Sequence, residues 1–398
     1  MSTDRASFDR QMMGIAIRMA KRGIGTTAPN PAVGAVIADE ATAEVIARGW
    51  TQPGGRPHAE KEALARAGDR ARGRTMYVTL EPCAHTGRVP TCADAMLTAG
   101  LKRVVCAIPD PNPVVSGRGF AQLRAQGVEV DVGLLADEAR WVTLGHILRQ
   151  TAHRPFVQLK MALDADGRIA AGDGAPVWVT GIEARAYAHL LRAEADAILV
   201  GSGTVLADDP ELTCRLPGLG ARSPDRIVLD TRLRTPASAK VYRQNTTKER
   251  IWPRASVAHE QPLPGASVAH EQPRVWIAAA IGEAERDAAA LRPGHALVFD
   301  VGSRDGRALD LDGLLDTLAA NGITRLMVEG GPTVWHAFLA AGFVDEACVV
   351  TAPSRAAGPS IAVIEGDHEA FFARFKLHKA QTRNLGADQL AIYRRESP

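Results

Sequence analysis

The chain has 398 residues, of which 46% are hydrophobic and 23% are charged, and its formal net charge is +2. This composition is typical of a soluble globular protein, and the length predicts two domains of ordinary size. The near-neutral charge and the lack of a long basic or acidic block provide no electrostatic basis for binding nucleic acid or an anionic membrane.

No run of 18 apolar residues occurs in the chain, so we expect no membrane-spanning helix. Residues 1–10 are polar and lack the apolar region of a secretory signal. Five cysteines are too few for a disulfide framework, and their number is odd. We therefore expect a cytoplasmic protein, in which paired cysteines more often bind metal or take part in chemistry.

Hydrophobic periodicity and turn residues predict alternating strands and helices in the first part of the chain. The predicted helices are 7–22, 59–67, 91–99 and 119–126, and the predicted strands are 33–38, 44–48, 74–80, 103–108 and 128–132. The first two strands are close enough to form a hairpin. This alternation is typical of an α/β layer with a mostly parallel sheet, and we expect the first domain to span 1–147.

A polar connector is predicted at 149–154, followed by a second α/β domain at 154–398. Its predicted strands are 155–160, 197–200, 226–230, 274–280, 296–300, 325–329 and 346–351, and its predicted helices are 182–193, 311–320 and 333–341. Within it, residues 255–262 recur verbatim as 266–273. Two copies are too few for a solenoid, so we interpret 244–273 as a surface insertion rather than a metal site of His259 and His270.

The stretch 58–92 contains a set of metal-binding residue types. His58, Cys83 and Cys92 offer one imidazole and two thiolates, which suits a catalytic zinc ion with one position left for water. Cys83 follows a predicted strand, and Cys92 opens a predicted helix, whose dipole stabilises a thiolate. Glu60, two residues after His58, can face the same cavity and carry protons. This pattern is that of zinc nucleobase deaminases, except that eight residues rather than two separate the cysteines.

Other interpretations of these residues remain open. A closed structural zinc site would need a fourth ligand, for which His85 is a candidate. Cys83 and Cys92 could also be unrelated buried residues. Cys106 and Cys348 fall within predicted strands, and we interpret them as core residues.

The second half lacks the Gly-x-Gly-x-x-Gly fingerprint of dinucleotide-binding folds, but it has glycine-rich turns at 200–204 and 328–333. In the second turn, Pro332 suits the first position of a helix. The free backbone N–H groups after Gly331 would form a nest for phosphate. Taken alone, such a turn is also typical of an ordinary strand–helix connection.

Longer stretches resemble a known family, the bifunctional riboflavin-biosynthesis deaminase/reductases. Its deaminase half resembles residues 29–118, through the stretches 30–34, 57–60, 80–88 with Cys92, and 110–113. The eight-residue spacing of the cysteines is also that of the family. The reductase half resembles 155–215 and 325–340, through the stretches 159–160, 166–170, 178–180, 203–210, 212–215 and 329–333.

This resemblance implies an N-terminal cytidine-deaminase-like three-layer αβα domain followed by a dihydrofolate-reductase-like α/β reductase domain. It implies Zn²⁺ bound by His58, Cys83 and Cys92, with Glu60 as the proton shuttle. It implies that NADPH contacts Ala162, Trp178, Thr204, Asp208, Thr231, Gly331, Pro332 and Thr333. It implies that the pyrimidine substrates contact Asn30, His85 and Arg88 in the first domain, and Arg192, Leu212, Arg215 and Glu329 in the second.

The chain departs from the family pattern at four places. Thr51 and Val114 stand where His and Lys are frequent. The run 163–167 reads Leu-Asp-Ala-Asp-Gly, where the family commonly has Ser before Leu-Asp-Gly, and Pro176 replaces a frequent substrate-contacting Ser. Asp164 and Pro176 motivate an alternative, a pyrimidine deaminase whose C-terminal domain binds nucleotide without reducing.

The resemblance predicts two steps of riboflavin biosynthesis. The first is hydrolytic deamination of 2,5-diamino-6-(5-phosphoribosylamino)pyrimidin-4-one, and the second is reduction of its ribose to a ribityl chain by NADPH. We expect a cytoplasmic homo-oligomer, a dimer or tetramer, with no nucleic-acid or membrane partner. Two alternatives from other classes are a nucleic-acid-editing deaminase and a structural-zinc interaction module.

Overall fold

The computed structural model describes residues 2–84, 90–113, 115–170, 178–243, 275–279, 296–300, 310–356 and 358–396. The chain divides into two compact units, Met1–Arg154 and Pro155–Pro398. The duplicated segments at 255–273, the departures Val114 and Pro176, and the predicted site residues His85 and Arg88 lie outside the described residues.

The first unit is a five-stranded sheet with helices around it. Its helices are α1 (Ser2–Lys21), α2 (Ala59–Ala67), α3 (Cys92–Thr98), α4 (Arg118–Ala125) and α5 (Ala136–Thr151). Its strands are β1 (Gly34–Asp39), β2 (Glu44–Trp50), β3 (Thr75–Val78), β4 (Arg103–Cys106) and β5 (Glu129–Val132). In the order β2-β1-β3-β4-β5, β1 is antiparallel to both neighbours, and β3, β4 and β5 are parallel. The predicted hairpin is confirmed.

Two glycines show that helices cover both faces of this sheet. A Cβ at Gly34 would lie 1.9 Å from a backbone oxygen of α1, and a Cβ at Gly49 would lie 2.3 Å from a backbone oxygen of α2. Gly49 pairs with Ala35, the residue next to Gly34. Paired residues share a face and successive residues alternate, so α1 and α2 lie on opposite faces. Because α5 contacts α1 and α3 contacts α2, the unit has three layers.

The amino ends of the parallel strands are held by a charge cluster around Arg103, whose side chain is 5% exposed. Its guanidinium pairs with Asp9 of α1 at 2.7 Å, with Glu40 after β1 at 2.9 Å and with Asp131 of β5 at 2.6 Å. The hydroxyl of Tyr77 donates to Asp9 at 2.6 Å. Removing Arg103 would leave the buried carboxylate of Asp9 without this ion-pair partner, which is strongly destabilising.

The second unit is a larger α/β layer. Its helices are α6 (Ile182–Glu194), α7 (Ser202–Asp208), α8 (Leu311–Ala320), α9 (Pro332–Ala340) and α10 (His368–Ala373). Its strands are β6 (Phe156–Leu163), β7 (Arg168–Ala170), β8 (Ala197–Gly201), β9 (Asp225–Leu229), β10 (Val275–Ala279), β11 (Ala296–Asp300), β12 (Arg325–Val328), β13 (Glu346–Thr351), β14 (Ser360–Ala362), β15 (Leu377–Leu385) and β16 (Asp388–Arg395).

Nine of these strands form one sheet in the order β11-β10-β9-β8-β12-β6-β13-β16-β15. The strands from β11 to β13 are parallel, and β16 and β15 add an antiparallel edge. β7 and β14 form a separate small sheet. In the centre, Leu199 packs with Leu314 of α8 and Phe338 of α9, whereas its neighbour Ile198 packs with Leu191 of α6. A strand buried on both faces is apolar throughout, as in β8.

Most predicted elements occur in the structure, with some differences. The predicted connector at 149–154 is wrong at its start, because α5 continues to Thr151. The sequence pattern also missed α5, α7 and α10 and the strands β7, β14, β15 and β16. Cys106 and Cys348 are fully buried, which confirms them as core residues. Within the described part of the chain, no helix has both the length and the apolar character that a membrane crossing needs.

Candidate metal centre and reductase site

The three predicted zinc ligands come from separate elements that meet beyond the carboxyl end of β3. His58 is the N-cap of α2, Cys83 follows β3 in the chain, and Cys92 is the first residue of α3. Thr91 caps α3 by accepting a hydrogen bond from the backbone N–H of Asp94, whose carboxylate accepts one from the N–H of Thr91. This capping box fixes the start of α3 and so the direction in which the Cys92 side chain points.

The geometry of these residues fits a zinc ion. Nδ1 of His58 lies 3.3 Å from Sγ of Cys92 and 3.8 Å from Sγ of Cys83. Tetrahedral zinc bonds of about 2.3 Å to sulfur and 2.0 Å to nitrogen place two ligand atoms roughly 3.5–3.8 Å apart. Within the described residues this His/Cys/Cys group has three members, which is the number of protein ligands in a catalytic zinc site.

The surroundings of Cys83 favour its thiolate form even without a metal ion. Hydrogen bonds from Cys92 and from His58 lower the pKa of the Cys83 thiol to about 4, and the backbone N–H of Cys92 also donates to this sulfur at 3.3 Å. The Cys83 sulfur and burial raise the pKa of Cys92. Zinc binds thiolate, so a zinc ion held here would take Cys92 as a thiolate, with release of its proton.

Glu60 lies in the first turn of α2 and is 3% exposed. Burial raises the pKa of Glu60, and its carboxyl group hydrogen-bonds to the Cys92 side chain. A buried carboxyl group with a raised pKa can both accept and return a proton. The structure therefore places a carboxyl group of this kind directly beside the His/Cys/Cys group.

The predicted pocket residue Asn30 lies against the loop that leads to His58. A Cβ at Gly55 would lie 2.1 Å from Nδ2 of Asn30, and Gly55 has a φ of 82° that favours glycine. The N–H of Gly54 donates to the carbonyl of Thr26 at 2.8 Å. The turn before β1 and the loop before α2 are thus packed together.

In the second unit, Glu329 is held by two cations. Its carboxylate accepts hydrogen bonds from Nζ of Lys160 at 3.1 Å and from Nε and Nη2 of Arg192, each at 2.9 Å. Burial opposes ionisation, but the charges of Arg192 and Lys160 lower the pKa of Glu329 to about 2. Lys160 was not among the predicted site residues, although a lysine within the otherwise largely apolar strand β6 could have indicated one.

The other predicted substrate contacts of the second unit differ in their exposure and in their partners. Arg192 is committed to Glu329, and its Nη1 also donates to the carbonyl of Thr213 at 3.1 Å. The Arg215 side chain is half-exposed, and its backbone N–H donates to Nδ1 of His189 at 3.3 Å. Burial and the charge of Arg192 lower the pKa of His189 to about 4, which keeps this ring neutral. Leu212 is buried at a φ of 56°.

Most of the predicted NADPH contacts lie along one edge of the large sheet. Ala162 is near the carboxyl end of β6, and Thr204 and Thr231 follow β8 and β9. Gly331, Pro332 and Thr333 open α9 directly after β12. These four strands are parallel neighbours, and parallel sheets bind ligands at their carboxyl ends.

Thr204 and Gly331 lie close together at this edge, and the two remaining predicted NADPH contacts, Asp208 and Trp178, are exposed. A Cβ at Gly331 would lie 3.6 Å from Oγ1 of Thr204, so the starts of α9 and α7 are adjacent. Asp208 is the exposed last residue of α7. Trp178 is 64% exposed, and the guanidinium of Arg185 lies 5.1 Å from its ring centroid.

Two of the departures from the family pattern have local structural roles. Asp164 is 2% exposed and accepts backbone hydrogen bonds from Asp166, Arg168 and Ala356, which fix the turn after β6. Oγ1 of Thr51 accepts a hydrogen bond from the N–H of Val33 at 3.0 Å. Both side chains stabilise a turn or strand end.

Comparisons with known proteins cover both units. Residues 155–388 match the family model of the RibD C-terminal domain, and residues 6–108 match the cytidine and deoxycytidylate deaminase zinc-binding region. Riboflavin biosynthesis protein RibD of Aquifex aeolicus is 38% identical over 388 residues, which are 98% of this chain and 99% of that protein. The protein of the same name from Escherichia coli is 39% identical over 356 residues, 87% of this chain and 88% of that protein.

Two solved structures are also similar over nearly the whole chain. Acinetobacter baumannii RibD, form 1, has a TM-score of 0.78 and 32% identity, and the match covers 98% of this chain and 100% of that one. The Thermotoga maritima diaminohydroxyphosphoribosylaminopyrimidine deaminase/5-amino-6-(5-phosphoribosylamino)uracil reductase has a TM-score of 0.76 and 30% identity, covering 98% and 99%.

Proposed function

The chain belongs to the RibD family of riboflavin biosynthesis proteins, and from this premise we propose which of its residues carry the two reactions. It is a bifunctional enzyme of riboflavin biosynthesis, a zinc-dependent deaminase in its N-terminal part and an NADPH-dependent reductase in its C-terminal part. The observation that carries the assignment of the first site is the His/Cys/Cys group with buried Glu60 beside it.

We propose that the deaminase substrate is 2,5-diamino-6-(5-phosphoribosylamino)pyrimidin-4-one, in agreement with the name of the Thermotoga relative. Water adds to the ring carbon that bears the amine, and ammonia leaves. The reductase then takes the deaminated product. Hydride and one proton convert its ribose into a ribityl chain.

In the first unit, His58, Cys83 and Cys92 would hold the zinc ion. When bound, zinc supplies a water that is deprotonated near pH 7. Glu60 would take a proton from the attacking water and donate it to the departing amine, which its buried position and raised pKa favour. Asn30, His85 and Arg88 would contact the pyrimidine and its phosphoribosyl group.

In the second unit, hydrogen-bond capacity indicates how Glu329 and Arg192 would act on the substrate. A carboxylate has about four acceptor sites, and three of those on Glu329 are used by Lys160 and Arg192. The remaining site suits a ribose hydroxyl. Arg192 has five N–H donors, of which three are used, so two remain for the substrate phosphate, together with the exposed Arg215.

NADPH, when bound, supplies the hydride. We propose that Ala162, Trp178, Thr204, Asp208 and Thr231 contact it, with the free N–H groups of 331–333 at the start of α9 receiving a phosphate. The support for this placement is that most of these residues lie at the carboxyl ends of neighbouring parallel strands. Leu212 would pack against the reductase substrate.

We also propose that the protein acts in the cytoplasm as a homo-oligomer, a dimer or tetramer. Its five free cysteines, all in the described residues, suit a reducing compartment. Light scattering of the purified chain tests the oligomer, and a monomeric mass at micromolar concentration would rule it out.

Removing zinc should separate the two activities. After dialysis against a chelator, we expect ammonia release to stop, because water without zinc is not deprotonated near neutral pH. Reduction of the deaminated product by NADPH should continue at the untreated rate.

The test incubates the diaminopyrimidine with and without NADPH, identifies the products by mass, and then restores zinc. Ammonia release that persists without zinc would contradict the deaminase assignment, and absence of a ribityl product would favour a C-terminal domain that binds nucleotide without reducing.

A further inference from the structure

The stretch 110–113, Asp-Pro-Asn-Pro, has no role in the reactions as described so far. It lies in the loop that connects β4 to α4. Because β3 and β4 are parallel neighbours, this loop leaves the sheet at the same edge as the segment that carries Cys83. Glu81 and Pro82, the residues just before Cys83, make close contacts to Asp110, Gly117 and Gly119.

Glu81 is 3% exposed, and its carboxylate is filled by backbone donors from the loop. Oε2 accepts from the N–H of Asp110 at 3.2 Å and from the N–H of Gly117 at 3.0 Å. Oε1 accepts from the N–H of Gly119 at 3.0 Å. In addition, the N–H of Glu81 donates to the carbonyl of Ile108 at 3.0 Å. One side chain therefore holds Asp110, at the start of the loop, together with Gly117 and Gly119 at the start of α4.

Gly119, at the start of α4, also lies very close to Pro82, the residue before Cys83. A Cβ at Gly119 would lie 2.2 Å from the carbonyl oxygen of Pro82 and 3.3 Å from Oε1 of Glu81. No side chain fits between these two backbones. The carboxylate of Asp110 accepts from the N–H of Asn112 at 2.9 Å and lies 3.6 Å from Nε2 of His146 in α5.

We propose that Glu81 is a positioning residue for deamination, which holds Asp110 and the start of α4 against the Pro82–Cys83 segment and thereby sets one wall of the pyrimidine pocket. The inference rests on the proposed zinc centre and assigns no chemical step to Glu81. A carboxylate only accepts hydrogen bonds, so it can serve three N–H donors at once. An amide of the same shape would present its own N–H groups to one or more of these donors.

The test is the variant Glu81→Gln in the full chain. We expect KM for deamination to rise roughly tenfold, because charge-assisted hydrogen bonds are lost, while kcat falls less than KM rises. Bound zinc should stay at the wild-type amount, since the three ligands are unchanged. Hydrogen exchange at the amides of Gly117 and Gly119 should accelerate roughly tenfold, which reports on the loop without any activity measurement.

Two further variants make the result specific. Gly119→Ala keeps Glu81 but forces the loop away from Pro82, so it should reproduce the rise in KM. Asp9→Asn alters another buried carboxylate, at the opposite end of the strands, and should lower the unfolding temperature without changing KM. Wild-type KM and exchange in Glu81→Gln would overturn the inference. Zinc loss in both loop variants would also overturn it, because Glu81 would then support the metal ligands rather than the loop.

Failure of this inference is distinguishable from failure of the proposed function. If the wild-type chain released no ammonia with zinc bound, the deaminase assignment would be wrong. The exchange rates of Gly117 and Gly119 would still show whether Glu81 holds the loop.

Discussion

The variant Glu60→Gln should lose deamination by about 10²–10⁴-fold while it keeps its zinc and its reductase activity. Glutamine fills the same buried space in the first turn of α2, so the fold and the three ligands are preserved. It cannot accept a proton from water or return one to the leaving amine. Ammonia release measures the first activity, metal analysis measures zinc, and NADPH oxidation with the deaminated product measures the second activity.

A matched control lies two residues further along the same helix. Glu62→Gln makes the same chemical change at a half-buried residue that pairs with Arg66 at 2.5 Å. This i,i+4 surface pair contributes about 0.3–0.5 kcal/mol, so we expect wild-type deamination. Deamination by Glu60→Gln at the rate of Glu62→Gln would exclude Glu60 as the proton carrier.

The variant Glu329→Gln should have the largest effect on the second unit. It leaves the partly buried charges of Lys160 and Arg192 without their counter-ion, and breaking a buried ion pair in this way costs about 3–5 kcal/mol. Reduction should fall roughly a hundredfold, because Arg192 is no longer held in place and a misplacement of about 1 Å can cost about 10²-fold in rate. Deamination by the same preparation, which does not involve Glu329, should be unchanged and shows that the first unit is folded.

The same ion pair predicts a pH dependence of stability. The pKa of Glu329 is about 2 in the folded chain, below the value of about 4.3 in an unfolded chain. Its contribution, on the order of 3 kcal/mol, is therefore complete above pH 4.3 and is lost as the pH falls towards 2. The free energy of unfolding should differ between wild type and Glu329→Gln at neutral pH, and this difference should shrink between about pH 4 and pH 2.

Glu211→Gln serves as the control for this experiment. Glu211 is half-exposed and lies 3.5 Å from Arg215, so its removal should change the free energy of unfolding little at any pH. A difference for Glu329→Gln that stays constant from pH 6 to pH 2 would show that the triad does not titrate as described.

The zinc centre could be predicted from the sequence because its chemistry depends on residue type and local position. His58 and Glu60 share one helix start, and Cys83 and Cys92 flank a single loop, so their proximity follows from short-range structure. Few residue sets besides a metal site explain a His, a Glu and two Cys in this arrangement. The fold class followed from the alternation of apolar strands with amphipathic helices.

The reductase contacts between distant residues could not be predicted in the same way. Lys160 and Glu329 are 169 residues apart, and Arg192 joins them from a helix packed on the same face of the sheet. Their meeting depends on the strand order β8-β12-β6, which no local pattern specifies. The sequence predicted Arg192 and Glu329 as separate substrate contacts, whereas the structure shows them bonded to each other.

The C-terminal strands were missed for a different reason. β15 is exposed at nearly every residue between Leu377 and Leu385, so it lacks the alternation of apolar and polar residues by which a half-buried strand is predicted. Its place at the sheet edge is set by pairing with β16. Glu81 was missed because a carboxylate that accepts backbone N–H groups leaves no pattern in the sequence.

The charge cluster around Arg103 has a consequence for engineering this enzyme. It joins α1, β1, β4 and β5 at the amino ends of the strands, whereas the zinc ligands and Glu60 lie beyond the carboxyl end of β3. The residues that stabilise the fold and the residues proposed to carry deamination thus lie at opposite ends of the strands of one sheet. We therefore expect changes at Asp9, Glu40 or Asp131 to alter thermal stability with a smaller effect on catalytic rate than changes at the zinc ligands or Glu60.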